Sequence, residues 1–543
     1  MKPKIHKIAI LFFLFTILIV SFSCNMNRYP LTALGEDEFF TSEENAKLAI
    51  IGLYRGEIRT NAPEYTPSDW WGYGANILLD GVTDIGYDRR GFNNAIGQLT
   101  SGNLQSTNGY VTPLYQRPYR RISSCNRFIE NIDKVGSSFE ITRMKAEARF
   151  IRACSYFYLA SYYHDVPLVT KSVTIEEANN VTKSSRSDVL SFVATELNEI
   201  SNQLPRQKDL PGNELGRATA QAALVFLART HLLTKNYSAV SATCKKIIDW
   251  GDNKLHSNYQ TLFYPKNRTS SEHIFSTQHI DNEASYGLAQ HAFPIKDGGF
   301  CLVNATSILY ESYDFLDGGP FNYGNPLFDP QNLGKNRDPR LDYTLIYEGS
   351  VFRGTTYICN PESNSSDRFG AGQVTQTGYL LRKYFDESWS GNDLTQYGNI
   401  VPIARYAEVL LMYLEAELEA GNVITQSLLD QTINLIRARV NMPPITDTDP
   451  ITLREKLRKE RMIELAFEGH RLWDLFRWDN AVERLNLDLY GAPVYVKNQS
   501  KIKMKNNKPD PYYRWYANTR SFKAGQERWP IPQVEQNINP NLR

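Results

Sequence analysis

Cysteine is scarce: six occur in 543 residues, and no two stand close enough for a zinc pattern or a paired redox motif. With Cys24 set aside, the odd set Cys125, Cys154, Cys244, Cys301 and Cys359 gives no disulfide framework, and the first three of these fall in apolar helical patterns that suit small buried hydrophobes. Charge of one sign is missing too, since a net charge of +1 gives no overall bias toward nucleic acid or another acidic polymer. There is no phosphate-cradling loop ending in Lys, no Gly-x-Ser-x-Gly elbow, no His-Glu-x-x-His pair and no complete calcium loop. Gly72 and Gly74 lack the third glycine of a dinucleotide fingerprint. These absences leave no cofactor or metal expected. Glu272, His273 and His279 offer at most an opportunistic metal site, and surface histidines are the simpler reading.

Long hydrophobic runs are confined to the start of the chain. Lys2, Lys4, His6 and Lys7 precede the almost unbroken apolar run at residues 8–20, which is shorter than the roughly 20 residues a membrane span needs. Residues 1–23 therefore read as a secretory signal peptide. Ser21, Phe22, Ser23 and Cys24 read as a lipoprotein cleavage site, making Cys24 the acylated N-terminal residue. Ser21 stands where Leu is usual, so a cleaved soluble form is the alternative.

A short tether at residues 24–41 leads to a helix capped by Thr41 or Ser42. Ala146, Phe150, Ala153, Phe157 and Ala160 then recur at spacings of four and three, which predicts one apolar face on a long helix ending at Tyr162. Tyr115, Tyr119, Ile122, Phe128 and Ile132 predict its antiparallel mate. The pattern returns around residues 220–248 and again around 407–440, in helix pairs of roughly tetratricopeptide size. The expected fold is all-α: tetratricopeptide-like helix hairpins at residues 42–250 and 401–543, with a Gly-, Asn- and Pro-rich irregular region at 251–400 packed on them. Binding surfaces concentrate in such irregular segments.

Aromatic side chains are abundant: 32 Tyr, 26 Phe and 8 Trp exceed what a core of this size requires, so some rings are expected to face a ligand. Asp69, Trp70, Trp71, Tyr73 and Asn76 put three rings and two polar side chains into one loop. An aromatic platform with amide or carboxylate neighbours suits the apolar face and hydroxyl rim of a pyranose. The same tryptophans can equally lock the loop onto the helices. Tyr310, Tyr313 and Tyr323 form a second candidate and Trp389 a third.

The carboxylates Glu460, Glu464 and Glu468 stand beside Arg461, Arg471 and Asp474 and among Phe467, Gly469, Trp473 and Trp478. The spacing predicts local pairs, Arg461 with Glu464 and Arg471 with Asp474, in a docking corner between helices. Architecture, not acid–base catalysis, is the expectation.

This stretch resembles the SusD/RagB family. The likeness continues in Arg149, Arg152, Ala153, Tyr156 and Phe157; in Arg217, Ala218 and Thr219; in Asp338, Pro339, Arg340 and Leu341; in Pro402, Arg405, Tyr406 and Glu408; and in Trp529, Pro530, Ile531 and Pro532. The resemblance implies an outer-membrane, surface-exposed nutrient-binding lipoprotein that hands an oligosaccharide to a SusC-like TonB-dependent transporter. Peptide capture, as in the RagB branch, and a secreted hydrolase are the alternatives.

Overall fold

The structure is a computed structural model that describes residues 40–55, 70–72, 74–283, 285 and 287–543. The leader, Cys24, the tether up to residue 39, Asp69 and Tyr73 lie outside the described residues.

Helices dominate the first half, and most start where the sequence supplies a side-chain cap. α1 (Glu43–Arg55) begins after Ser42, whose hydroxyl accepts from the Asn45 amide at 3.2 Å. α2 (Val111–Asn131) pairs with α3 (Phe139–Tyr162), which Ser138 caps through the Ile141 amide. α4 (Arg186–Ile200), α5 (Ala220–Leu233) and α6 (Tyr237–Trp250) follow, capped by Ser185, Thr219 and Asn236. Lys235, at φ +54°, turns the chain between α5 and α6. Each of α2 to α6 packs on its sequence neighbour, and α7 (Tyr406–Glu419) continues the stack on α6. α8 (Ile433–Ala438) and α9 (Pro450–Glu464) close it, α9 starting at the Asp449 cap with Pro450 in the first turn. α10 (Arg471–Arg477) follows a tight turn.

The region read as irregular is organised by short strands. β1 (Gly86–Asp88), β3 (Val303–Ala305), β5 (Leu380–Leu381) and β4 (Leu345–Ile346) form an antiparallel sheet in that order. β2 (His273–Gln278) pairs with β6 (Ile400–Arg405), so the loop-rich region is zipped to the strand that runs directly into α7. β7 (Asp488–Pro493) and β8 (Arg514–Thr519) make a long hairpin near the C-terminus. The fold is thus helical with small sheets. One apolar core runs through both parts, from Ala46 and Ile50 of α1 to Trp529 and Leu542.

Candidate functional site

The charged motif is a buried docking corner. Arg405, at the end of β6, reaches Glu272 at 2.8 Å, Glu464 at 2.7 Å and Glu468 at 2.7 Å. Arg340 pairs with Asp338 and with Glu460 and Glu464 of α9; Arg439 pairs with Glu272 and Glu464; Arg437 pairs with Glu460, and Lys383 with Glu468. Five carboxylates therefore face five cations in a region closed to water, and that balance is what makes their burial tolerable. Burial alone would raise the Glu464 carboxyl, but Arg439, Arg405 and Arg340 overcome it and hold it well below the usual range. A carboxylate so held is a poor general acid or base.

The pairs differ from those the spacing suggests. Arg461 bonds Asp474 at 2.7 Å instead of Glu464, because α9 ends at that residue and the guanidinium reaches over the turn to α10. Arg471 forks onto Asp84, with Asp474 taken by Arg461 and Arg477. Glu272 and His273 are buried as well. Glu272 is held by two arginines, and the His273 ring meets the Leu262 carbonyl at 3.0 Å, so neither belongs to a surface metal site.

The loop at Trp70 and Trp71 is core. Trp70 is 3% exposed, lies flat on Tyr158 and Tyr162 with ring centres 4.8 Å apart in each case, and donates its Nε1–H to the Leu114 carbonyl. Trp71 meets Phe275 edge-on, and Arg121 lies over its ring. Asn76 is buried against the turn at Gly469. The void beside Trp70 holds only about 30 Å³, room for a water and not for a sugar. These rings anchor the loop and offer no platform.

Tyr310 and Tyr313 are buried too, but Tyr310 is the root of something that reaches the surface. It stacks on Tyr379 at 4.9 Å and meets Phe321 edge-on; Phe321 meets Tyr323 at 4.8 Å; Tyr323 stacks on Tyr512 at 4.5 Å and 27°. A continuous column of rings thus runs from core to solvent. Arg337 braces it, lying 3.8 Å over Phe321 and donating to the Tyr310 and Tyr313 carbonyls. Its outer end carries Tyr512 at 44% exposure, Tyr513 at 39% and Tyr495 at 47%.

The β7–β8 hairpin holds those tyrosines in place. The Val494 amide donates to the Tyr513 carbonyl at 3.0 Å, extending the ladder beyond Arg514 and Pro493 and bringing Tyr495 beside the Tyr512–Tyr513 turn. Asp510 fastens that turn by accepting the Tyr512 amide at 3.0 Å and the Arg514 guanidinium at 2.8 Å. Arg514 also pairs with Glu311, which accepts the Tyr323 hydroxyl at 2.9 Å. The result is a pre-set aromatic surface rimmed by carboxylate and hydroxyl groups, on which a flat, hydroxyl-rimmed ring can stack. Trp389 is half-buried elsewhere, edge-on to Tyr397, and touches none of these tyrosines among the described residues.

Of the aromatic residues singled out in the sequence, Tyr323 lies on this surface, whereas Tyr495, Tyr512, Tyr513 and Arg514 were not singled out. The available signal was two adjacent tyrosines directly after a Pro-Asp-Pro turn, where side chains tend to stay at the surface.

Known proteins match the chain along nearly all of its length. A family model described as the SusD family matches residues 261–543, and one described as starch-binding associating with outer membrane matches residues 89–232. A SusD-like carbohydrate binding protein from Bacteroides fragilis NCTC 9343 is 47% identical, superposes with a TM-score of 0.90, and aligns over 93% of this chain and 100% of its own. A second SusD-like protein from the same organism shares the fold at 24% identity, with a TM-score of 0.78 over 95% of this chain and 99% of its own. A SusD-like protein of Formosa agariphila is 24% identical over 99% of this chain and 98% of its own. On the family match over residues 261–543 and the 47% identity across the described fold, the chain belongs to the SusD family.

Proposed function

We propose that this protein binds an oligosaccharide at the Tyr323–Tyr512 face and delivers it to a SusC-like TonB-dependent transporter in the outer membrane. The observation that carries the reading is the aromatic column, which ends in exposed, pre-oriented tyrosines set among carboxylate and guanidinium groups. The carbohydrate binding named for the 47% identical relative supports it. The helix pairs act as a tetratricopeptide-like scaffold. An acyl chain on Cys24 tethers the body at the cell surface.

The mechanism is capture and handover with no bond made or broken. Each stacked ring contributes about 1 kcal/mol, so a few rings and their polar rim give weak binding, which permits release to a transporter. Calorimetry against a panel of oligosaccharides and peptides tests the reading. Heat from a glycan that disappears in Tyr512→Ala supports it; heat from peptides alone moves the protein to the peptide-capturing reading, and substrate turnover would move it to a hydrolase.

A further inference from the structure

A left-handed backbone is unfavourable for a residue that carries a Cβ, because the Cβ crowds the carbonyl that follows. Among the described residues three of the tyrosines and phenylalanines adopt it: Tyr384 at φ +83°, Phe467 at +59° and Tyr513 at +55°. For two of them the fold offsets the strain. Tyr384 is buried, meets Phe263 edge-on and donates its hydroxyl to the Phe467 carbonyl at 2.7 Å. Phe467 is fully buried in the main core. Tyr513 differs. It is exposed, and among the described residues no ring packs on it, no cation lies over it and its hydroxyl has no hydrogen-bond partner.

The conformation at Tyr513 is fixed from both sides. Its amide donates to the Asp510 carbonyl at 2.9 Å, closing the turn through Pro511 and Tyr512, and its carbonyl accepts the Val494 amide at 3.0 Å. The ladder resumes one residue later, with Arg514 opposite Pro493. Glycine or asparagine is the usual residue at such a left-handed exit from a turn, since glycine has no Cβ and asparagine tolerates the region. This chain places a tyrosine there, bonded directly to Tyr512, whose own ring stacks on Tyr323. Backbone strain that the surrounding fold does not offset is characteristic of ligand-binding positions.

From this contrast we propose that Tyr513 is an affinity-determining residue of the tyrosine face, its ring held against the preference of its own backbone so that it stacks on the oligosaccharide beside Tyr512. The proposal rests on the glycan-binding reading above and assigns to Tyr513 a contact that stabilises the complex and not the fold.

Melting and calorimetry on the mature chain test it, with maltohexaose, cellohexaose, laminarihexaose and xylohexaose as probes and Tyr513→Asn, Tyr513→Phe and Tyr512→Ala as variants. Tyr513→Asn relieves the backbone and removes the ring, so it is expected to melt about 1 °C above the parent protein while binding the glycan about fivefold more weakly. Tyr513→Phe restores ring and strain together and should return both values toward those of the parent. A ring that served the fold would give the opposite sign, and a melting temperature below that of the parent in Tyr513→Asn overturns the proposal. Unchanged affinity in Tyr513→Asn, with Tyr512→Ala still weakening binding, also overturns it and leaves glycan capture at this face standing. Affinity unchanged in both variants, or no heat from any of the four sugars with the parent protein, overturns both.

Discussion

Asp84 and Arg471 lie 387 residues apart in sequence, yet both nitrogens of the guanidinium fork onto the one carboxylate, at 2.8 and 2.7 Å. Arg484 adds a third contact at 2.8 Å. Burial alone would raise the Asp84 carboxyl, but Arg471 and Arg484 bring it down to about 2. This pair ties the segment after the Trp70 loop to the start of α10. Arg471→Met leaves Asp84 buried with one partner, and a loss of about 3–5 kcal/mol is expected in urea titration. Arg471→Lys should recover little, because an ammonium cannot reproduce the two-point fork. A loss under 1 kcal/mol for Arg471→Met would show that the clamp contributes little.

Gly469 makes the turn that presents Arg471. Its φ is +81°, and a Cβ there would stand 2.7 Å from the Asn76 Cα, which is backbone and cannot step aside. The Gly469 amide also donates to Asp80 at 3.1 Å. Gly469→Ala therefore combines left-handed strain with a clash, and about 2–4 kcal/mol of destabilisation is expected. A melting temperature equal to that of the parent protein would contradict the geometry.

The helices were readable because their apolar spacing and caps are local facts: the four-and-three spacing of α3, Ser42 before α1, and the turn at Lys235 all stand where the chain itself puts them. The ionic partners were not. Arg461 and Glu464 satisfy helical spacing, but Arg405, Arg340 and Arg439 arrive from other segments and claim Glu464 first. Aromatic loops carry the same ambiguity, since Trp70 and Tyr512 look alike in sequence and only the packing decides which faces inward. The short strands of the middle region were hidden because two- and three-residue strands carry almost no alternation.

Acid should separate two buried groups of opposite sign. Burial depresses His273 from 6.5 to about 4, so the unfolded chain takes up a proton that the fold refuses; this contribution is complete above pH 6.5 and is lost as pH falls toward 4. Burial raises Asp80 from 3.8 to about 7, and its two backbone donors only partly offset this. That group works in reverse, favouring the fold more as pH drops from 7 to 3.8. The two should largely cancel between pH 6.5 and 4, and below pH 3.8 protonation of Asp84 removes stability with nothing opposing it. His273→Gln keeps a donor for the Leu262 carbonyl without titrating. Relative to the parent it should gain up to about 3 kcal/mol between pH 6.5 and 4, read from urea titrations at each pH. A constant difference across that range would mean that His273 is not held neutral.

Trp70 and Tyr512 provide the sharpest separation of scaffold from ligand face. Trp70 is closed between Tyr158 and Tyr162, with Trp529 stacked beyond it at 6.1 Å, and its indole N–H is spent on the Leu114 carbonyl. Trp70→Ala opens a cavity and unseats that stack, so about 3–5 kcal/mol of stability should be lost while the folded fraction binds glycan as before. Tyr512 stacks on Tyr323, carries the Arg514 guanidinium 5.6 Å over its ring and is otherwise open to solvent, so Tyr512→Ala should shift the melting temperature little and weaken glycan binding roughly fivefold, the equivalent of one stacked ring at about 1 kcal/mol. Melting and calorimetry on both variants form a crossed design: each substitution should move one readout and spare the other. If Trp70→Ala abolished binding at unchanged stability, the buried loop and not the tyrosine face would be the site, and the packing that closes Trp70 would have to open in solution.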